Sequence, residues 1–191
     1  MIVAVNGRKV TIPENYGEMS YREAVAVEGK TLSEVAAYYL DIPIRSFNAP
    51  HVYTQILQAL SFLNDKPVPQ PAAPSYEIRG RAVIPEALTG ACVGMYFDML
   101  DTVQGEEQDT VELIAIGLAP QLNAGRYDYD VAASLKDEVK SLSVQDVMNL
   151  HAFFLTVLTN WSNGIPATPA KSNSLMQNAV QVWLTLRTLG F

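Results

Sequence analysis

The sequence predicts a mainly α protein with short β-hairpins, an α+β chain of two tandem hairpin-plus-helices units. Three observations predict it. Apolar residues recur at helical spacing through most of the chain. Two glycine turns sit between short β-prone runs. A proline-rich stretch divides the chain, and similar elements follow in similar order on either side.

The first unit, residues 1–64, opens Val3-Ala4-Val5-Asn6-Gly7-Arg8-Lys9-Val10. Asn6-Gly7 offers the positive φ angles that a two-residue hairpin turn needs. Ile12-Pro13-Glu14 closes the second strand, because proline cannot donate to a ladder. Ser20-x-x-Glu23 is a capping box that opens a short helix, and Gly29 ends it. Thr31-x-x-Glu34 opens the next, with Leu32, Val35, Ala36, Tyr39 and Leu40 as its apolar stripe and Pro43 as its stop. A third helix is predicted over residues 50–63, turning Val52, Ile56, Leu60 and Leu63 inward.

Residues 65–75 contain Pro67, Pro69, Pro71 and Pro74. They cannot continue a helix and form an extended, semi-rigid spacer. The second unit, residues 76–191, then repeats the opening as Tyr76-Glu77-Ile78-Arg79-Gly80-Arg81 and Ile84-Pro85-Glu86. With a one-residue gap, Gly-Arg, Val and Ile-Pro-Glu coincide, and this agreement of letters and order reads as an internal duplication. Arg79-Gly80 is the weaker turn signal, keeping only the glycine. Either the two hairpins pair with each other or each covers its own helices.

The helices follow in matching order. Residues 89–103 carry Val93, Tyr96, Phe97 and Leu100 as a predicted inward face. Asp109, with Glu112 three residues on, opens a helix whose Leu113, Ile114 and Leu118 match Val35, Ala36 and Leu40, and which Pro120 stops. Residues 143–161 repeat Val147, Leu150, Phe154, Val157 and Trp161. Two helices are extra, over residues 130–140 and 173–189; the latter carries Leu175, Ala179, Val182, Trp183, Leu186 and Leu189 before Gly190.

Composition bounds the function. The chain has 191 residues, 49% of them hydrophobic, enough for a real core. A net charge of −7 argues against direct nucleic-acid binding, which needs a basic face. No apolar run reaches the length of a membrane span, and Met1 to Gly7 does not read as a secretory signal. The one cysteine, Cys92, excludes an internal disulfide and reads as buried packing.

Catalytic signals are sparse. His51 and His151 lie far apart without metal-ligand spacing, and read as ordinary helix histidines. There is no phosphate-binding glycine loop and no nucleophile elbow. Asp98, Asp101, Glu106, Glu107, Asp109 and Glu112 cluster, but read as a solvated connection with Asp109 as a helix cap. Asp128-Tyr129-Asp130 likewise reads as a cap. No catalytic residue, metal ligand or cofactor is therefore predicted. Tyr38-Tyr39 and Phe153-Phe154 are the candidate partner-binding residues. Adjacent rings cannot all share one inward stripe, and exposed aromatics favour interfaces.

A resemblance emerges from Ile12-Pro13-Glu14, from Thr31-Leu32-Ser33-Glu34-Val35 with Ile42-Pro43-Ile44, and from residues 81–86. The pattern resembles small structural and assembly proteins of tailed bacteriophages, including the crAss-like group. It implies a non-catalytic virion protein, in the head–tail connector, the tail or the particle interior, acting through other phage structural proteins in an oligomer or larger assembly. The alternative is a tail-assembly chaperone in the host cytoplasm. A small metal-dependent hydrolase using the acidic cluster ranks last, since it requires those carboxylates to converge in a pocket. The segment from Ile165 onward falls outside the resemblance.

Overall fold

The computed structural model describes residues 1–5, 7–43, 49–85, 92–104 and 109–163. The predicted helix over 173–189, Asn6, Glu86, Glu106 and Glu107 lie outside them. The fold is mostly helical with two small antiparallel sheets of two strands each; among the described strands the hairpins do not pair with one another.

In the first hairpin, β1 (Ile2–Val5) and β2 (Arg8–Thr11) pair through a two-residue turn, with Gly7 at φ 78°. Val3 and Val5 alternate inward while Ile2 and Ala4 face out. In the second, β3 (Tyr76–Ile78) pairs with β4 (Arg81–Val83), burying Tyr76, Ile78 and Val83. Both of its turn residues have positive φ, Arg79 at 53° and Gly80 at 69°. The turn that looked weaker in sequence is thus a full mirror-image turn. Its non-glycine position is anchored by the Arg79 side chain, whose Nε donates to Glu138 at 2.6 Å and whose Nη2 donates to the Ser134 carbonyl at 2.7 Å. This ion pair holds the Glu138 carboxyl below its ordinary range.

The two Ile-Pro pairs diverge. Ile12 is fully buried and its N–H donates to the Met1 carbonyl at 2.7 Å. Ile84 is 48% exposed, and its backbone is held by the Gln121 side-chain amide, with N–H to Oε1 at 2.9 Å. The same letters sit against different neighbours, so only the first isoleucine joins a core.

Helices α1 (Tyr21–Val27) and α2 (Leu32–Leu40) both start at complete capping boxes, Ser20 with Glu23 and Thr31 with Glu34. Gly29, at φ 72°, ends the first as predicted, and α2 ends at a left-handed Asp41, before Pro43. Helix α3 (Pro50–Ala59) runs into a 3-10 turn over Leu60–Asn64, a tighter finish to the predicted third helix.

Helix α4 (Val93–Gln104) corrects the sequence reading. It turns Met95 and Met99 inward, while Val93 and Phe97, expected inside, are 72% and 54% exposed. Cys92, expected to be buried, is exposed just before its first turn. Helix α5 (Thr110–Leu122) is capped by Asp109 and buried along nearly its whole length. Pro120 lies inside its last turn and does not stop it; the helix runs two residues further, to Leu122, with Asn123 as its C-cap. So near the end, the missing N–H of Pro120 costs the helix one hydrogen bond, to the Ile116 carbonyl, and the N–H of Gly125 returns to the Pro120 carbonyl at 2.7 Å. The helix predicted over 130–140 is two, α6 (Tyr129–Ser134) and α7 (Lys136–Ser141), broken at the fully buried Leu135. Asp128 caps the first of them. Helix α8 (Val144–Ser162) starts at Ser143 and buries residues on most of its circumference.

Two buried clusters result. The first gathers Val3, Val5, Ile12, Met19, Val27, Val35, Leu40, Ile56 and Leu60. The second gathers β3, β4 and the helices from α4 to α8. They are joined at a seam. Val144 of α8 belongs to the first cluster, and Tyr21 of α1 packs against the second. Ser20 and Ser143, each a helix N-cap in extended conformation, form an antiparallel bridge. The Tyr21 N–H donates to the Leu142 carbonyl at 2.9 Å and the Val144 N–H to the Met19 carbonyl at 2.8 Å. First-turn N–H groups have no partner within their own helix, so each helix start satisfies the other.

The proline-rich segment does more than space the units; it is strapped along α8. Its Gln70 N–H donates to Asn149 Oδ1 at 2.7 Å, and Gln145 Nε2 donates to the Val68 carbonyl at 3.0 Å. Ala72 and Ala73 pack against the second cluster.

Candidate interaction surface

The predicted partner-binding residues separate into two kinds. Phe153 is 5% exposed and Phe154 is fully buried, so both rings belong to the second cluster and neither is offered to a partner. The sequence expectation for this pair is corrected. Helix α8 is covered on several sides, so it has room for two inward rings where a surface helix has room for one. Tyr38 is 44% exposed and meets Tyr39 edge-on at 5.3 Å, with the Lys30 ammonium 5.9 Å over its ring. Tyr39 is half-buried, and its hydroxyl is buried without a hydrogen-bond partner among the described residues. Burial, then the nearby Glu23 carboxylate, raises its pKa well above the usual phenol range.

The larger exposed aromatic surface is on α4. Val93 and Phe97 are one turn apart and share an exposed face. Phe97 packs edge-on against Tyr96 at 5.7 Å, and Tyr96 leans on Trp161 of α8 at 6.0 Å. The Tyr96 hydroxyl lies 3.2 Å from Ser162 Oγ, which itself donates to the Leu158 carbonyl. The ring of Phe97 is thus backed by two further aromatics and held by the end of α8. A rigid, amphipathic ring cluster of this type offers contact area at low entropic cost. Sequence reasoning missed it because α4 carries two apolar rows, Val93/Phe97 and Met95/Met99, and only one can face the core. The available signal was the methionine pair, adaptable filler for an irregular core.

Beside this face, four of the clustered acidic residues come together; the connection over 105–108, expected to be solvated, lies outside the described residues. Asp98, Asp101 and Thr102 of α4, Asp109 and Glu112 at the start of α5, and Tyr129 of α6 line a cavity of about 330 Å³. Helix α4 ends at Gln104 and α5 starts at Thr110, so the end of the first lies beside the start of the second. The carboxylates are largely engaged. Tyr127 donates its hydroxyl to Asp98, and Tyr129 donates to Glu112 at 2.6 Å. Lys136 stands 3.2 Å from Glu112 and 3.6 Å from Asp109. Burial works against the charge on Lys136, but Glu112 and Asp109 outweigh it and raise its pKa. The Tyr127 phenol is raised by burial and by the bond to Asp98, and that of Tyr129 by its bond to Glu112. Among the described residues no group of three or more His, Cys, Asp or Glu is arranged to hold a metal ion. What the pocket presents is a surface of negative potential with one exposed ring, Tyr129.

A second depression, about 550 Å³, lies on the seam between the two clusters. Met19, Val27, Val35, Val144 and Met148 are among its lining residues. The two histidines are far from any shared site: His51 is exposed on α3, and His151 is buried in α8. No helix among the described residues is long and apolar enough to cross a membrane.

Compared with known proteins, the chain matches no family model, no curated protein and no solved structure.

Proposed function

We propose that this chain is a non-catalytic, protein-binding component of a tailed-phage particle, built into the connector, the tail or the interior. The observation that carries the protein-binding reading is the exposed Val93–Phe97 row, backed by Tyr96 and Trp161. Contiguous apolar surface is costly to leave in water and marks contact sites. Tyr38, with its exposed ring, adds a second contact in the first unit. The phage assignment rests on the resemblance of Ile12-Pro13-Glu14, residues 32–44 and residues 81–86 to phage structural proteins.

The test is mass spectrometry of purified particles, with a photo-crosslinking residue placed at position 97. The expected outcome is the protein in the particle, crosslinked through that position to another virion protein. Presence in the infected-cell lysate and absence from the particle would replace this reading with that of an assembly chaperone in the host cytoplasm. Absence of any crosslink to a phage protein, in lysate or particle, would reject both.

A further inference from the structure

The exposed row on α4 changes character along its length. One turn beyond Phe97, on the same face, stands Asp101, and Asp101 lines the carboxylate pocket. From Val93 to Asp101 the helix rises about 12 Å, so a partner lying along it meets two apolar turns and then an acidic one. Among the described residues the charge there is unbalanced: Asp98, Asp101, Asp109 and Glu112 stand against one ammonium, that of Lys136. Lys136 pairs with Asp109 and Glu112, and the Asp98 carboxylate accepts, among the described residues, from the Tyr127 phenol alone. Asp101 has neither an ion pair nor a side-chain hydrogen bond among the described residues.

We infer that this surface docks a basic amphipathic helix of a partner protein. Its apolar residues seat on Val93 and Phe97, and its lysines or arginines on Asp101 and the pocket carboxylates. The inference rests on the protein-binding reading proposed above and gives the partner its chemistry. A straight apolar row with one-turn spacing matches the ridge of another helix. Charge disfavours a second copy of this chain packed through the same face, because Asp101 and the pocket carboxylates would then meet their own kind.

Fluorescence anisotropy on the whole protein tests it, with two synthetic helical peptides sharing one leucine pattern. One carries lysines on its flanks and the other glutamates. The expected result is binding of the Leu/Lys peptide alone, weakening as salt rises. Phe97→Ser weakens it about tenfold, the loss typical of one interface anchor. Asp101→Lys weakens it too and flattens the salt dependence, whereas Glu77→Gln, which removes a charge from the exposed face of β3, leaves it unchanged. If the Leu/Glu peptide binds equally well and Phe97→Ser weakens both, the basic partner is rejected while the protein-binding reading stands. If Leu/Lys binding ignores Phe97→Ser and Asp101→Lys, the docking surface is elsewhere and the inference falls. If neither peptide binds and Phe97→Ser changes nothing in assembly, the inference and the function proposed above fall together.

Discussion

Two buried polar side chains have consequences that can be measured one residue at a time. The Tyr39 hydroxyl has no hydrogen-bond partner among the described residues, so it has lost water without a bond there to replace it. Replacing it by hydrogen keeps the ring and removes the penalty. Tyr39→Phe is expected to raise stability by about 1 kcal/mol in urea unfolding. A loss of stability would mean that the hydroxyl has a partner. His151 is the second case. Burial pushes its pKa down from 6.5 to about 4, so it is neutral in the folded protein near neutral pH. The unfolded chain binds a proton there below about pH 6.5 and the folded one does not until about pH 4. The stability associated with neutral His151 is therefore complete above pH 6.5 and is lost as pH falls toward 4. Between pH 6.5 and 5, before most carboxylates titrate, His151→Leu is expected to flatten the fall in stability measured by denaturant titration. An unchanged slope would mean that the imidazole is solvated.

At the level of elements, α5 and α8 approach closely at Gly117. A Cβ on Gly117 would stand 2.3 Å from Phe154 Cε1, and Phe154 is fully buried. Alanine is the better helix former by about 1 kcal/mol. Overpacking a buried ring costs about 3 kcal/mol, so the steric term wins. Gly117→Ala is expected to destabilise by about 2 kcal/mol net in thermal or chemical unfolding. Adding Phe154→Leu should recover part of that loss, since the two changes share one contact. Sequence periodicity placed α5 and α8 correctly but could not show this. Gly117 and Phe154 are far apart in the chain, and a glycine inside an apolar run carries no mark of its partner. The same limit explains α4. The starts of α1, α2 and α5 were legible from Ser20, Thr31 and Asp109, whose side-chain oxygens act within three residues. Which of the two apolar rows of α4 faces inward depends on α5 and α8, and that is invisible locally.

For the whole molecule, the seam decides how the two clusters behave. Each holds the start of a helix from the other, through the paired N-caps Ser20 and Ser143 and through Val144. The strap from Gln70 to Asn149 adds a third tie. Unfolding is therefore expected as one transition. Both tryptophans, Trp161 and Trp183, lie in the second half of the sequence, so their fluorescence reports that half while far-ultraviolet circular dichroism reports all helices. The two melting curves should coincide. Ser143→Ala should lower both midpoints together, by about 1 kcal/mol of lost capping. Two separated transitions would show that the seam does not couple the clusters.

Local physics determined a good deal from the sequence alone. Caps, turns and prolines act over a few residues, so the hairpins, most helix starts and the division by a proline-rich stretch were readable before any fold was known. The tertiary structure decided what each surface does. It buried Phe153 and Phe154, exposed Val93 and Phe97, drew four carboxylates from separate segments around one cavity, and turned a spacer into a strap. Those outcomes depend on which helices pack against which. Burial is a property of the neighbours a side chain acquires, and neighbours distant in the chain leave no local trace in its letters.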